Sequence, residues 1–298
     1  MSEFPLARHE AKYLLVEEAV PPLIEAIRAR CVPDPNNGAH GYPVLSLYFD
    51  SPRYRLYWRS RDGSPYRVKY RLRRYANGGE FIEEKRRVQA LIAKRRLKLD
   101  EAQRALLLNR RGAAQGGSAQ RDPSQLDPSQ LDPSQLYSSQ LDSSQLDSSQ
   151  HDSKGGEALK SYLSSLDQLA ARPVALIRYQ RVAFFSRDDH YARVTLDRRV
   201  QVAPAQDPAA APPPEDPSWR AVDLPRRFDR RRSPVVLELK AEQLVPPWMR
   251  ALTRRFGLER RGFSKYCYGL EALLPSSARS RPRWPSAPTA RGRRAPDV

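Results

Sequence analysis

Residues 68–73 read Val68-Lys69-Tyr70-Arg71-Leu72-Arg73, an alternation of apolar and basic residues. Side chains of a β-strand point to opposite faces in turn, so the three cations share one face and the three apolar residues share the other. A single strand of this kind would ordinarily be a solvated surface strand. If several such strands gather their charges in one place, a polyanion, counter-charges or water must lie between them.

Charged residues recur with the same period elsewhere in the chain. Acid-x-base triplets occur at Glu10-Ala11-Lys12, Glu83-Glu84-Lys85 and Glu238-Leu239-Lys240, and Arg193, Thr195 and Asp197 share one face of another strand-like run. Antiparallel strands with one charged and one apolar face, covered by helices on the apolar face, build a barrel with a polar lumen. We therefore predict an α+β fold, an antiparallel tunnel-shaped β-barrel wrapped by helices, whose lumen attracts phosphate.

The overall charge of the chain favours a polyanionic partner. The 298 residues contain 52 Lys and Arg against 34 Asp and Glu, a net charge of +18. Such a balance suits nucleic acid, acidic lipid or polyphosphate alike. Two distant cysteines and an N-terminal stretch without an apolar signal region predict a cytoplasmic protein. No apolar run reaches the roughly 18 residues of a transmembrane helix, although a membrane partner stays open.

Local patterns predict several individual elements. Residues 42–50 are β-branched and aromatic and predict a strand. Asn77-Gly78 between two strand-like runs predicts a β-hairpin. Leucines recur with helical spacing from Lys94 to Leu108, which predicts an amphipathic helix there. Residues 17–28 and 245–256 also predict helices, each with prolines where a helix can begin.

One interrupted domain and a tail account for the whole chain. We predict a single domain over residues 1–274, interrupted by a disordered insertion at about 111–156 and a Pro/Ala-rich loop at about 203–218. The insertion repeats Asp-Pro-Ser-Gln-Leu and its variants, and one leucine per five residues buries too little surface to order the backbone. Residues 275–298 predict a disordered basic tail.

Glu238 differs from the other acidic residues of these strands. Simple salt bridges to neighbouring cations explain Glu10 and Glu83 as well as a functional role does. Glu238 lies between Leu237 and Leu239 in the most apolar strand, where an unpaired carboxylate is costly unless it meets a cation or a metal. A hard divalent ion shared with phosphate oxygens would satisfy it.

Other chemistries find little support in the sequence. The four histidines are scattered without ligand spacing, and neither a Gly-rich phosphate loop nor a nucleophile elbow occurs. Tyr266 and Cys267 are better explained as packing residues than as a reactive pair. Tyr70 lies opposite the basic row and Tyr75 only at its end, which disfavours base stacking and specific nucleic-acid recognition.

The order of these motifs resembles the VTC domain, the polyphosphate polymerase domain of the triphosphate tunnel metalloenzyme superfamily. The similarity runs from about residue 5 to residue 272. Each motif is weak by itself, whereas eight in the family's order are specific. The matching stretches are residues 8–13, 46–50, 69–75, 83–85, 178–184, 193–197, 237–240 and 263–266.

This resemblance implies a metal-dependent enzyme that uses Mn²⁺ or Mg²⁺ and transfers the terminal phosphate of ATP to polyphosphate in the tunnel. It implies catalytic roles for Lys69, Arg71, Arg73, Arg181 and Arg193. It implies phosphate binding by Arg8, Lys12, Lys85, Lys240 and Lys265, and metal binding by Glu238. A tripolyphosphatase or nucleoside triphosphatase of the same fold, or a non-catalytic polyphosphate-binding module, is the alternative.

The chain departs from the superfamily pattern at some positions. The wider superfamily has Glu-x-Glu-x-Lys on its first strand, whereas Arg8 replaces the first glutamate here, as in VTC domains. That change removes one metal carboxylate and adds one phosphate ligand, which favours a polymerase over a hydrolase. Glu84 occupies a position that is usually apolar, and the repeat insertion has no counterpart in the family.

Overall fold

The computed structural model describes residues 8–75, 79–88, 91–110, 151–188, 192–207, 211–222, 235–242 and 244–275. These ranges contain ten strands and six α-helices. The strands are β1 (Arg8–Leu15), β2 (Cys31–Pro33), β3 (Tyr42–Asp50), β4 (Tyr66–Tyr75), β5 (Glu80–Val88), β6 (Leu91–Lys98), β7 (Arg172–Ser186), β8 (Arg193–Pro204), β9 (Arg220–Ala221) and β10 (Val235–Glu242). The helices are α1 (Val20–Arg28), α2 (Arg55–Arg61), α3 (Glu101–Leu108), α4 (His151–Gln168), α5 (Pro247–Arg255) and α6 (Lys265–Leu273).

All ten strands belong to one antiparallel sheet, whose main order is β1-β10-β8-β7-β3-β4-β5-β6. Lys85 on β5 and Glu10 on β1 form an ion pair of 2.7 Å, although six strand spacings would separate them by about 29 Å on a flat sheet. The sheet is therefore curled into a half-barrel, which confirms the predicted antiparallel fold. In the described ranges no backbone pairing joins β6 to β1, so β1 is an edge strand of the sheet.

Helix α6 packs inside the curve of the sheet. Tyr266, Cys267 and Leu270 are buried there with Ile177 and Val202. Gly269 allows a close approach here, because a Cβ atom would lie 2.8 Å from the Cδ1 atom of the buried Ile177. The apolar half of the concave face is thus covered, and the N-terminus of α6 meets the charged half. Burial also agrees with the packing role predicted for Tyr266 and Cys267.

Four of the other helices cover the convex face in two groups, whereas α2 packs with α6 through Tyr57 and Trp58. Helices α1 and α5 pack on one half of the sheet through buried residues that include Leu23 and Met249. Helices α3 and α4 pack on the other half, where Leu107 and Leu166 contact a core that contains Tyr70 and Leu72. The apolar side of the alternation in residues 68–73 therefore faces this outer core, and its basic side faces the interior.

The helix predicted from Lys94 to Leu108 is wrong in its first part. Residues 91–98 form the edge strand β6, which pairs with β5 and places Lys94 opposite Lys85. Helix α3 begins only after Asp100, whose side chain accepts a hydrogen bond from the Gln103 backbone in a capping box. A basic alternation and a leucine-rich helix adjoin each other here, and their leucines together imitate one helical pattern.

Several predicted segments lie partly outside the described ranges. Residues 111–150 of the predicted insertion lie outside them, and α4 already begins at His151. Strand β8 continues to Pro204, into the predicted Pro/Ala-rich loop, whose residues 208–210 lie outside the described ranges. Residues 76–78 of the predicted hairpin and residues 276–298 of the predicted tail also lie outside the described ranges. The two strands of that hairpin, β4 and β5, pair as predicted. None of the described helices is long and apolar enough to cross a membrane.

Glu84 joins three neighbouring elements on the convex side. Its side chain is 1% exposed and accepts hydrogen bonds from Arg86 at 2.6 Å and from Arg95 at 2.7 Å. Arg95 also donates to the Ser161 hydroxyl at 3.0 Å and lies 4.7 Å from the ring centre of Tyr162, so it connects β6 to α4. The unusual acidic residue at this position therefore fastens α4 to the back of the sheet.

Replacing Glu84 with glutamine is expected to lower the free energy of unfolding by about 3 kcal/mol, because two arginines then lose a buried counter-charge. The free energy is measured by urea denaturation. Tripolyphosphate affinity of the folded protein should stay the same, since Glu84 faces away from the interior. Equal stability of the variant and the wild type would contradict this structural role.

Candidate functional site

The interior charged face is built from two groups of strands that face each other. On one side β4 contributes Lys69, Arg71 and Arg73, whose direct partners on β5 include Lys85 and Glu83. On the other side β1, β10, β8 and β7 contribute their own charged residues, which pair across the strands. These ion pairs determine which cations have charge to offer a ligand.

Glu83 is the counter-charge of the first group. Its Oε2 atom accepts hydrogen bonds from Arg71, with the Nε atom at 2.7 Å and the Nη2 atom at 2.6 Å. Lys94 and Arg96 lie 3.3 and 3.5 Å from its Oε1 atom, and Arg73 lies 3.7 Å from Oε2. Burial raises the pKa of Glu83, but the arginines Arg71 and Arg73 outweigh it and hold the pKa well below its ordinary value. One carboxylate thus serves four cations.

Arg73 is the most buried cation in this group. It is 6% exposed, and its nearest polar neighbours are hydroxyl groups: Tyr179 at 3.3 Å, Tyr75 at 3.5 Å and Ser46 at 3.5 Å. Hydroxyl groups solvate a guanidinium without neutralising it, and the Glu83 carboxylate at 3.7 Å is shared with three other cations. A buried charge with so little counter-charge is costly. An anion in the interior would remove that cost.

Glu238 lies in the second group between two lysines. Its Oε1 atom is 3.5 Å from the Nζ atom of Lys240 and 3.9 Å from that of Lys12, which also lies 3.3 Å from Glu10. Burial raises the pKa of Glu238, but Lys240 and Lys12 hold it well below its ordinary value. Although Glu238 favours the charged form of Lys240, burial and Arg181 lower the pKa of Lys240 to about 8.

Asp197 orients two of the predicted phosphate ligands. Arg181 donates both of its parallel N–H groups to this carboxylate, at 2.7 and 2.8 Å, and the Nζ atom of Lys265 lies 2.6 Å away. Asp197 is fully buried, and despite this burial Arg181 and Lys265 keep its pKa below the ordinary value. Gly41 passes directly beside Arg181 of β7 and has a φ of +85°. Only glycine fits at this position, because a Cβ atom would lie 2.2 Å from the Arg181 carbonyl oxygen.

Lys69, Lys85 and Arg193 lie on the same face. Lys85 reaches across the interior to Glu10, and Lys69 donates to the Ser264 hydroxyl at 2.9 Å beside the start of α6. Arg193 is the direct strand partner of Lys240, but its guanidinium turns towards Asp34 at 2.9 Å. The backbone of Arg8 pairs with Glu242 at the start of β1, and its side chain lies outside the described residues.

Positive charge therefore exceeds negative charge on this face. Among the described side chains, the contacts above involve eleven basic ones: Lys12, Lys69, Arg71, Arg73, Lys85, Lys94, Arg96, Arg181, Arg193, Lys240 and Lys265. The five acidic groups in contact with them are Glu10, Asp34, Glu83, Asp197 and Glu238. The difference of six positive charges is the electrostatic basis for holding a polyanion.

The acidic residues of β1 and β10 fit a divalent metal that arrives together with phosphate. Glu10 and Glu238 lie around the same Lys12 ammonium group, and the hydroxyl of Thr195, beside Glu238 in the sheet, is buried without a hydrogen-bond partner. Mg²⁺ typically takes one or two protein carboxylates and completes its shell with phosphate oxygens and water. Within the described ranges no cluster of three or more His, Cys, Asp or Glu side chains is placed to hold a metal.

The sequence did not predict Lys94, Arg96 and Asp34 on this face, nor the pairing of Asp197 with Lys265. Lys94 and Arg96 were assigned to a helix, although they alternate on an edge strand directly beside Glu83. Asp34 lies in a loop and Asp197 lies 68 positions from Lys265, so neither pairing leaves a local signal. The run Lys94-Arg95-Arg96 near a second basic strand was the available indication for the first two.

The interior lysines predict a pH dependence of phosphate binding. Burial lowers the pKa of Lys69 below the ordinary value of 10.5. A lysine binds phosphate in its protonated form, so affinity is full below the folded pKa and is lost as the pH rises through it. We expect tripolyphosphate affinity, measured by titration calorimetry without metal, to decline before pH 10.5 is reached.

The matched variants for this prediction are Lys69→Arg and Lys160→Arg. The first should make the decline shallower, because arginine stays charged, while Lys240 continues to contribute. The second lies on the exposed surface of α4 and should leave the profile unchanged. A profile of Lys69→Arg identical to that of the wild type would show that Lys69 does not contact the ligand.

Comparison with known proteins adds one informative match. A family model described as the VTC domain matches residues 7–274 of the chain. A search of the curated proteins finds no match. Among solved structures, a Vibrio parahaemolyticus protein provisionally described as an adenylate cyclase is 12% identical, with 90% of this chain and 100% of that chain covered and a TM-score of 0.39. A protein from Pyrococcus horikoshii OT3 is also 12% identical, with coverage of 89% and 98% and a TM-score of 0.38.

Proposed function

The chain belongs to the VTC domain family, a family of tunnel-fold enzymes that bind triphosphate groups, and we propose that it is a metal-dependent polyphosphate polymerase. In this proposal it transfers the terminal phosphate of ATP to a polyphosphate chain held on the interior charged face. The observation that carries the proposal is the excess of cations there, above all the buried Arg73, which shares the Glu83 carboxylate with three other cations. Phosphate chains supply the negative charge that this face lacks.

The interior residues can promote phosphoryl transfer without covalent chemistry of their own. An oxygen of the terminal phosphate of the chain attacks the γ-phosphorus of ATP, a new P–O–P linkage forms, the bond to the β-phosphate breaks and ADP leaves. Arg71, Arg73 and Lys94 would stabilise charge on the transferred group. Asp197 would keep the fork of Arg181 and the ammonium group of Lys265 oriented towards the chain.

A divalent metal would be held by Glu238, with Glu10 beside it. When bound, Mg²⁺ or Mn²⁺ supplies positive charge that neutralises phosphate oxygens. Lys12 and Lys240 already neutralise Glu238 in the free protein, so phosphate would have to draw these ammonium groups away before a metal could take their place. The donor set therefore supports a metal that binds together with the phosphate substrate.

The acidic residues favour a polymerase over a hydrolase of the same fold. A hydrolase that uses a general base needs a carboxylate able to take a proton from water. Neighbouring cations hold the pKa values of Glu83, Glu238 and Asp197 below their ordinary ranges, which makes these carboxylates weak bases. A terminal phosphate oxygen of the chain already carries negative charge and needs no base.

The test is incubation of the purified protein with ATP, Mn²⁺ or Mg²⁺ and a short polyphosphate primer. Formation of acid-insoluble polymer together with ADP is the expected result. Release of orthophosphate without chain growth would identify a triphosphatase. Tight binding of tripolyphosphate with neither product would identify a non-catalytic polyphosphate-binding module.

A further inference from the structure

A second basic surface lies outside the interior face, on α5 and the segment that follows it. Residues 250–261 contain five exposed arginines and one acidic residue, Glu259, which gives a net charge of +4. We call these five residues the outer arginine surface. Its members are Arg250, Arg254, Arg255, Arg260 and Arg261.

The outer arginine surface is continuous with the wall of the interior face. Arg260 donates through its Nη2 atom to the carbonyl oxygen of Glu10 at 3.1 Å. The backbone N–H of Arg261 donates to the carbonyl oxygen of Lys12 at 2.8 Å. Both contacts lie along β1, an edge strand of the sheet that also carries Glu10 and Lys12 of the interior face. A chain that leaves the interior past this edge would meet these arginines.

A groove links the two parts of the surface. Arg250 on α5 and Arg260 line the same cavity of about 150 Å³, together with His9 and Thr253. Arg254 follows Arg250 by four positions, so both occupy one side of α5. The arginines therefore form a track from the edge of β1 to the outer side of α5.

We propose that the outer arginine surface binds the part of a polyphosphate chain that extends beyond the tunnel. This inference rests on the proposed function, because it assumes that the interior holds one end of such a chain. Guanidinium groups match phosphate oxygens in bidentate geometry, which suits this composition. An anionic membrane is a weaker fit, since membrane-surface helices need a free apolar face and the apolar residues Met249 and Leu252 of α5 are buried against the sheet.

The experiment compares two variants that each lose four positive charges. The first replaces Arg250, Arg254, Arg255 and Arg261 by glutamine, which preserves helix propensity. The second, a control, replaces the exposed residues Arg28, Arg30, Arg53 and Arg172 by glutamine. Dissociation constants are measured for tripolyphosphate, which fits within the tunnel, and for polyphosphate many times longer, over a series of salt concentrations.

The first variant should bind long polyphosphate about tenfold more weakly, and the slope of its affinity against salt should fall by about 3, as expected when four phosphate contacts are lost. Its affinity for tripolyphosphate should change less than twofold, and the control should retain both affinities. An equal loss for both ligands, or none, would overturn the inference. It would also fail if the first variant lost binding to anionic vesicles and kept its affinity for long polyphosphate. Absence of tripolyphosphate binding in the wild type would instead refute the proposed function.

Discussion

Replacing Glu238 with glutamine is expected to reduce polymer formation from ATP by about a thousandfold, because metal-assisted charge stabilisation contributes several kcal/mol to phosphoryl transfer. Glutamine preserves the shape of the side chain and removes its charge. Lys12 and Lys240 then lose a counter-charge, so tripolyphosphate affinity without metal should be unchanged or higher. Turnover is measured as acid-insoluble phosphate, and affinity by calorimetry.

The two measurements together separate a catalyst from a binder. Glu17→Gln is the matched control, since Glu17 is exposed and pairs with Arg198 on the outer surface. A Glu238→Gln protein that keeps wild-type turnover would exclude Glu238 as the metal ligand. A protein that loses affinity and turnover in parallel would show that the substitution disturbs the whole site.

Replacing Arg73 with methionine is expected to change binding and stability in opposite directions. Affinity for tripolyphosphate should fall about 10- to 100-fold, as expected when a charge-assisted contact to phosphate is lost. The free energy of unfolding of the ligand-free variant should equal that of the wild type or exceed it by up to about 2 kcal/mol. The reason is that a buried charge with little counter-charge is removed. Calorimetry gives the first quantity and urea denaturation the second.

Arg181→Met provides the contrast for this prediction. Arg181 is fully paired with Asp197, so its loss leaves a buried carboxylate with only Lys265 and should destabilise the free protein. If Arg73→Met were destabilised to the same degree, Arg73 would be a structural residue, and the evidence for an anion site around it would be lost.

Local alternation predicted much of this fold. Residues 68–73 face the interior with their cations and the outer core with their apolar side chains, and the strand at residues 42–50 has the predicted bounds. These predictions succeed because side-chain direction in a strand depends only on the parity of the position. The same parity places Glu238 and Lys240 beside Glu10 and Lys12 once β1 and β10 pair.

Contacts between distant segments could not be predicted in this way. Asp197 meets Lys265 because α6 packs inside the curved sheet, and Arg193 meets Asp34 because a loop passes over its strand. Neither contact has a sequence period. Lys94 and Arg96 were misassigned for a different reason, since an edge strand and a following helix share one run of leucines and basic residues.

The central claim is that the interior charged face binds a chain of phosphates through many cations at once. Titration calorimetry of the wild-type protein with tripolyphosphate and with orthophosphate tests it most directly. Three linked phosphates should bind at least about a hundredfold more tightly than one, because each additional charge-assisted contact contributes free energy without a second loss of translational freedom. Equal affinity for the two ligands would contradict a chain-binding tunnel.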